Sequence, residues 1–151
     1  MRTSVIVLVL CSVGAASLIA AGGPCALLTK AEVEAASGLT VADGVVNTTN
    51  KSVCDYKVGA GPGVGIMLVD KNASESAEKM VAGLAKSKIP ARVVNGIGDG
   101  AYASSPGYGM QQFGAFKGSK HVIVTVMLIG APEAKVKDVA EKVLRKAVGK
   151  L

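Results

Sequence analysis

Two cysteines constrain this chain more than any other feature. Cys25 and Cys54 lie within the stretch from Pro24 to Val58, which also carries a well-marked helix start and the first confident strand. A third cysteine, Cys11, lies in an apolar run near the N-terminus that reads as a removable address. With Cys11 gone, an exported chain keeps an even pair with only one connectivity, so the sequence predicts a Cys25–Cys54 disulfide. That bridge closes a loop of about 28 residues, valued at roughly 3–4 kcal/mol by the chain-entropy model. A redox or metal role is the weaker reading. There is no Cys-x-x-Cys motif, and a tetrahedral metal site needs two further ligands.

The address itself is Met1-Arg2-Thr3-Ser4, a short basic start, followed by apolar or small residues from Val5 to Ala21 and by Gly22-Gly23. This is the layout of a secretory signal peptide over residues 1–23, leaving one secreted domain over residues 24–151. The alternative is an uncleaved anchor, since the apolar run sits at the lower limit for a membrane span. Any membrane contact is expected only through such a retained signal. Lipid attachment at Cys25 is not expected, because Pro24 precedes it and no Leu stands three residues upstream.

Helix and strand signals follow in order. Thr29 and Glu32 form a capping box, Leu28 and Val33 the matching hydrophobic staple, and Gly38 a left-handed stop, which predicts a helix over Lys30–Ser37. A short strand is expected near Gly44–Asn47. Val53–Val58 alternates as a strand, Gly59–Gly63 turns, and Val64–Val69 returns. Asn72, with Glu75 three residues on, predicts the start of a second helix whose stripe is Ala73, Ala77, Met80, Val81 and Leu84. Met80 reads as a core residue rather than a soft metal ligand. Strands are expected over Ala91–Val94, Ala101–Ser104, Met110–Lys117 and His121–Ile129, with Gly118-Ser119 as a hairpin turn. A last helix starting near Pro132 presents Val136, Val139, Ala140, Val143, Ala147 and Val148 on one side. Asn-x-Ser/Thr triplets at Asn47, Asn50 and Asn72 are short enough to arise by chance.

The order strand–strand–helix occurs twice, with Val64–Leu84 and Ile123–Val143 matching in apolar pattern at an offset of about 59 residues. The expected fold class is therefore α+β: an antiparallel sheet with helices packed on one face, in duplicated ββα-type halves, held by one disulfide.

Chemistry is sparse. The formal charge is +6 and aromatics make up 3 % of the chain, with no Trp. The basic residues are dispersed and not interleaved with stacking aromatics, so nucleic-acid binding is not expected. Gly96-Ile97-Gly98-Asp99-Gly100 is followed by strand-like residues rather than a helix, so it reads as a turn and not a phosphate loop. His121 is the sole histidine. A hydrolase of the Ser–His or Cys–His kind would have to run through it, yet a residue at the start of a strand is more often an ordinary edge or surface histidine.

Taken together, the secretion signal, Pro24-Cys25-Ala26-Leu27-Leu28-Thr29 with Glu32, Cys54-Asp55-Tyr56, Gly96-Ile97-Gly98-Asp99-Gly100-Ala101-Tyr102 and the closing amphipathic helix resemble a group of small secreted bacterial proteins and lipoproteins of unknown function. Their domain is similar to the extracellular sensor domains of some receptor-type Ser/Thr kinases. The resemblance implies an envelope-facing α+β domain with a Cys–Cys bridge and no established catalysis. The expected function is thus a secreted, non-catalytic binding or interaction domain, without a cofactor, whose partner is an envelope component or small ligand. The alternatives are the His121 hydrolase and a structural or inhibitory protein acting through a sheet edge.

Overall fold

A computed structural model describes residues 23–151; the expected leader, with Cys11, lies outside the described residues except for Gly23. Among the described residues no helix is long and apolar enough to cross a membrane.

The chain opens with a 3-10 turn, Pro24–Ala26, and helix α1, Lys30–Ser37. α1 is bounded as its sequence dictates. The Thr29 hydroxyl accepts from the Glu32 N–H, the Glu32 carboxylate accepts from the Thr29 N–H, and Gly38 takes φ +68°. Strands β1 (Val45–Val46), β2 (Val53–Lys57) and β3 (Gly63–Asp70) form a meander. Helix α2 (Ala77–Lys86) then carries the chain to the far edge. Strands β4 (Ala91–Val94), β5 (Gly100–Gly107), β6 (Met110–Lys117) and β7 (Lys120–Val126) walk back, and helix α3 (Glu133–Val148) closes the fold. The seven strands make one antiparallel sheet in the order β1-β2-β3-β7-β6-β5-β4. Its central seam, β3 against β7, joins residues far apart in sequence, Val64 opposite Val126 and Asp70 opposite Lys120.

Three boundaries differ from the sequence reading by more than one residue. Asn72 does not cap α2. It closes a turn of its own, with Glu75 accepting from the Asn72 N–H and Asn72 accepting from Ser74, and Ser76 caps the helix through Lys79. β7 stops at Val126 rather than Ile129: Met127 still donates to Gly63, but Gly63 is the first residue of β3 and nothing beyond it offers a ladder partner. β5 runs on to Gly107 through a register shift after Ser104.

The expectation that all helices share one face also needs correction. α1 and α3 pack on one face, where Val64, Ile66, Phe113, Ala115, Val122, Val124 and Val126 meet Val136, Val139, Val143 and Leu144 in the main core. α2 packs on the other. Tyr102 and Phe116, which point away from the main core, cluster with Ala77 and with Met80, Val81 and Leu84 of α2. β2–β3–α2 and β6–β7–α3 do repeat strand–strand–helix, but their helices lie on opposite faces. The offset that pairs Met67 with Val126 therefore matches a residue of one face with a residue of the other.

The predicted crosslink is present: Cys25 and Cys54 are bonded, tying the 3-10 turn to β2. A second tie lies beside it, where the Tyr56 hydroxyl donates to the Leu28 carbonyl. Gly44 allows both. A Cβ there would lie 2.7 Å from the Cys54 sulfur and 2.7 Å from the Tyr56 ring.

Candidate functional site: the open half of the sheet

The face that carries α2 is only partly covered. α2 contacts β4, β5 and, more sparsely, β6. Beneath it lies a sealed aromatic layer. Phe116 stands opposite His121 across the β6–β7 ladder, with ring centroids 4.2 Å apart. The Tyr102 hydroxyl is 3.2 Å from His121 Nε2. Tyr102 reaches that far because its ladder partner is Gly114, where a Cβ would fall 2.4 Å from the Tyr102 ring. Lys71 sits over the outer side of Phe116, 5.3 Å from the ring centroid.

His121 is thus not the surface or edge histidine its position at a strand start implied; it is 3 % exposed. β7 is an interior strand between β3 and β6, and aromatic neighbours close over the imidazole. Burial holds its pKa below the ordinary histidine value, with nearby Glu75 pulling weakly the other way. Burial likewise pushes the Tyr102 hydroxyl well above its usual range, helped by Glu75. Both groups are neutral at pH 7 and share a hydrogen bond. Among the described residues, His121 is hydrogen-bonded to no serine.

Among the described residues no helix lies on the rest of this face, over β2, β3 and the parts of β7 and β6 beyond His121 and Phe116. That part of the face forms a groove of about 480 Å³, within the range of small-molecule sites. The ladder stacks its lining in rows. One row runs Val53, Met67 and Ile123 across β2, β3 and β7. The next runs Asp55, Gly65, Thr125 and Gln112 across four strands. Beyond it lie Met110 and Met127, with the exposed Lys57 at the β2 end. A polar row therefore crosses the middle of the groove with aliphatic side chains on both sides.

Gly65 gives the groove its floor. A Cβ there would lie 3.2 Å from Asp55 Oδ1, 3.6 Å from Val53 Cγ1 and 3.8 Å from the Thr125 carbonyl, so the absent side chain is what separates Asp55 from Thr125. The polar groups are partly fixed. Asn47 Nδ2 donates to Asp55 Oδ2 at 2.6 Å, and Gln112 Nε2 donates to Thr125 Oγ1 at 3.1 Å. Asn47 is itself set by a turn, its Oδ1 accepting from the N–H groups of Thr49 and Asn50.

The other sequence candidates are structural. The Gly96–Gly100 segment folds onto the β6–β7 hairpin: Asp99 N–H donates to the Phe116 carbonyl at 2.8 Å, and Asp99 Oδ2 accepts from Gly118 at 2.7 Å. Met80 packs in the aromatic layer. The basic face of α3 is laced with ion pairs, Lys137–Glu133, Lys142–Asp138 and Arg145–Glu141, and Lys146 and Lys150 reach Glu32 of α1. Among the described residues, no group of three or more His, Cys, Asp or Glu side chains is placed to hold a metal ion.

No family model matches this chain, and comparison with curated proteins and with solved structures finds no match.

Proposed function

We propose that the protein is a secreted, non-catalytic binding domain of the cell envelope, and that it holds its ligand in the open half of the sheet. The observation that carries this reading is the groove itself. It is concave, mostly aliphatic, and crossed by a few polar groups held by their own neighbours, which is how small-ligand sites are built. Export is supported by the leader-like first residues and by a disulfide, a bond that persists in oxidising compartments. The resemblance to sensor-type envelope domains points the same way. A hydrolase through His121 has less support, because the imidazole is enclosed by aromatic rings and engaged by Tyr102. A sheet-edge mode has little to offer a partner strand: β1 has two residues and β4 four.

Native mass spectrometry of the protein exported from its host, without reducing agent, tests the proposal. The expected spectrum shows a mature N-terminus close to Gly23–Pro24, an oxidised Cys25–Cys54 pair, and a reproducible extra mass that is lost in Gly65→Val. An adduct retained equally by that variant, or a wild type that takes up no apolar probe at all, would refute the assignment to the groove.

A further inference from the structure

The groove's polar row has a definite sign. Asp55 is half-buried on its wall, and among the described residues no cation lies within ion-pair distance of its carboxylate. Most other acids of the molecule are paired: Glu32, Asp43, Asp70, Glu133, Asp138 and Glu141 each face a Lys or Arg. Asp55 is instead held through Oδ2 by a neutral amide, while Oδ1 leans over the glycine floor. A carboxylate taken partly out of water is costly unless something compensates it. Its neighbours in the row add acceptor capacity. Gln112 spends its Nε2 on Thr125, which leaves Oε1 free to accept. Lys57, two residues along β2, also lines the groove, but it is exposed, where solvent and salt screen its charge, and it makes no ion pair with Asp55.

The aliphatic flanks narrow the choice further. Tyr56 is the one aromatic residue at the groove, and its ring belongs to the opposite face, with its hydroxyl on Leu28. Among the described residues the groove offers no aromatic platform on which a sugar or a base could stack. Met67, Met110 and Met127 are unbranched and adaptable, suited to flexible chains.

From these observations we infer that the groove takes an aliphatic cation: a molecule with a protonated, N–H-bearing amine set against Asp55 and Gln112, and saturated segments running along the methionines on either side. This rests on the groove being the ligand site, and the experiment separates the two claims. Isothermal titration at pH 7 of the oxidised protein uses three probes of similar apolar content: dihexylammonium, dihexyldimethylammonium, which keeps the charge without N–H, and dodecanoate. Dihexylammonium is expected to bind at least tenfold more tightly than either of the others. Asp55→Asn should reduce that preference to within about twofold, and Gly65→Val should abolish binding of every probe, with thermal melts confirming that both variants are folded. Equal binding of the three probes, or a preference unmoved by Asp55→Asn, would overturn the assignment of ligand class while leaving the groove in place, provided Gly65→Val still abolishes binding. Binding that survives Gly65→Val would overturn the groove itself, and failure of all three probes to bind the wild type would overturn the inferred ligand class.

Discussion

Removing the Cys25–Cys54 bridge should cost this domain a quarter or more of an ordinary stability. The crosslinked residues are 29 apart in sequence, and the loop they close contains α1 and β1. For a loop of that length the chain-entropy relation gives about 12 cal/mol/K, or about 3.6 kcal/mol at 25 °C. Domain stabilities are about 5–15 kcal/mol, so the reduced protein should still fold, but marginally. Unfolding entropy scales at about 2.1 cal/mol/K per residue, so for a domain of about 130 residues the loss corresponds to a fall in Tm of about 13 °C. Two features keep the penalty from exceeding this. Tyr56 still ties β2 to Leu28, and the capping box still holds α1. The assay is urea unfolding of the oxidised protein, the same protein with reductant, and Cys25→Ala/Cys54→Ala. Reduced wild type isolates the crosslink, while the double variant adds the loss of the buried Cys54 side chain. The m-value should rise when the bridge is broken, because the unfolded chain becomes less compact. A loss below about 1 kcal/mol in the reduced wild type, with m unchanged, would refute the entropic account.

Gly114→Ala should destabilise by about 1–3 kcal/mol, since the new Cβ would fall 2.4 Å from the Tyr102 ring and drive the hydroxyl off His121; chemical denaturation measures the loss, and a variant of wild-type stability would contradict the packing. His121 has a folded pKa held below its unfolded value of about 6.5, so its contribution is intact above that pH and is lost as pH falls below it. Stability should therefore decline from about pH 6.5 downwards, and His121→Phe should flatten that part of a Tm–pH profile. Glu32 is held at about 2 by the hydrogen bond from Lys150 and then by the Thr29 N–H. Its contribution is present above the unfolded value of 4.5 and fades as pH falls towards 2. Glu32→Gln should remove the slope in that window at a cost of about 1 kcal/mol or less at pH 7, because the Lys150 partner is exposed; a slope that persists in the variant would place it elsewhere.

The sequence reading succeeded where the determinant is local. Thr29, Glu32 and Gly38 set the ends of α1 within a few residues of one another, and Gly118-Ser119 sets the β6–β7 turn. The crosslink was legible because the sequence reading assigned Cys11 to an expected leader, which left one pairing to predict. It failed where the determinant is tertiary. The stripe of α2 says which side of the helix is apolar, but not which face of the sheet it meets. A signal for the second face was nonetheless present in β6, where Phe113 and Ala115 point to one side and Phe116 to the other. Large apolar residues on both sides of a strand point to cover on both sides at that end of it. The groove left less trace. Asp55, Gly65, Gln112 and Thr125 span most of the sheet-forming part of the chain, and only the β3–β7 seam brings them into one row. Nothing local to any of the four encodes that register.

Why half a sheet face should stay open follows from dimensions. Seven strands about 4.8 Å apart make a sheet about 29 Å wide. A helix is about 10 Å across, so each covers about two strand spacings. The face of the main core receives α1, α3 and the 3-10 turn, and is closed. Among the described residues the other face receives only α2, a ten-residue helix placed over β4, β5 and the Phe116 end of β6, so a strip over β2, β3 and the adjoining parts of β7 and β6 is left bare. A bare antiparallel face that merely met water would alternate to polar residues. This one does so at Asp55, Thr125 and Gln112, but keeps Met67, Met110, Ile123 and Met127 around them and places a glycine at the centre. Of these four only Ile123 is buried; Met67, Met110 and Met127 belong neither to the main core nor to the layer beneath α2. Their presence beside a carboxylate that has no ion-pair partner among the described residues is the arrangement an aliphatic, cationic ligand would require.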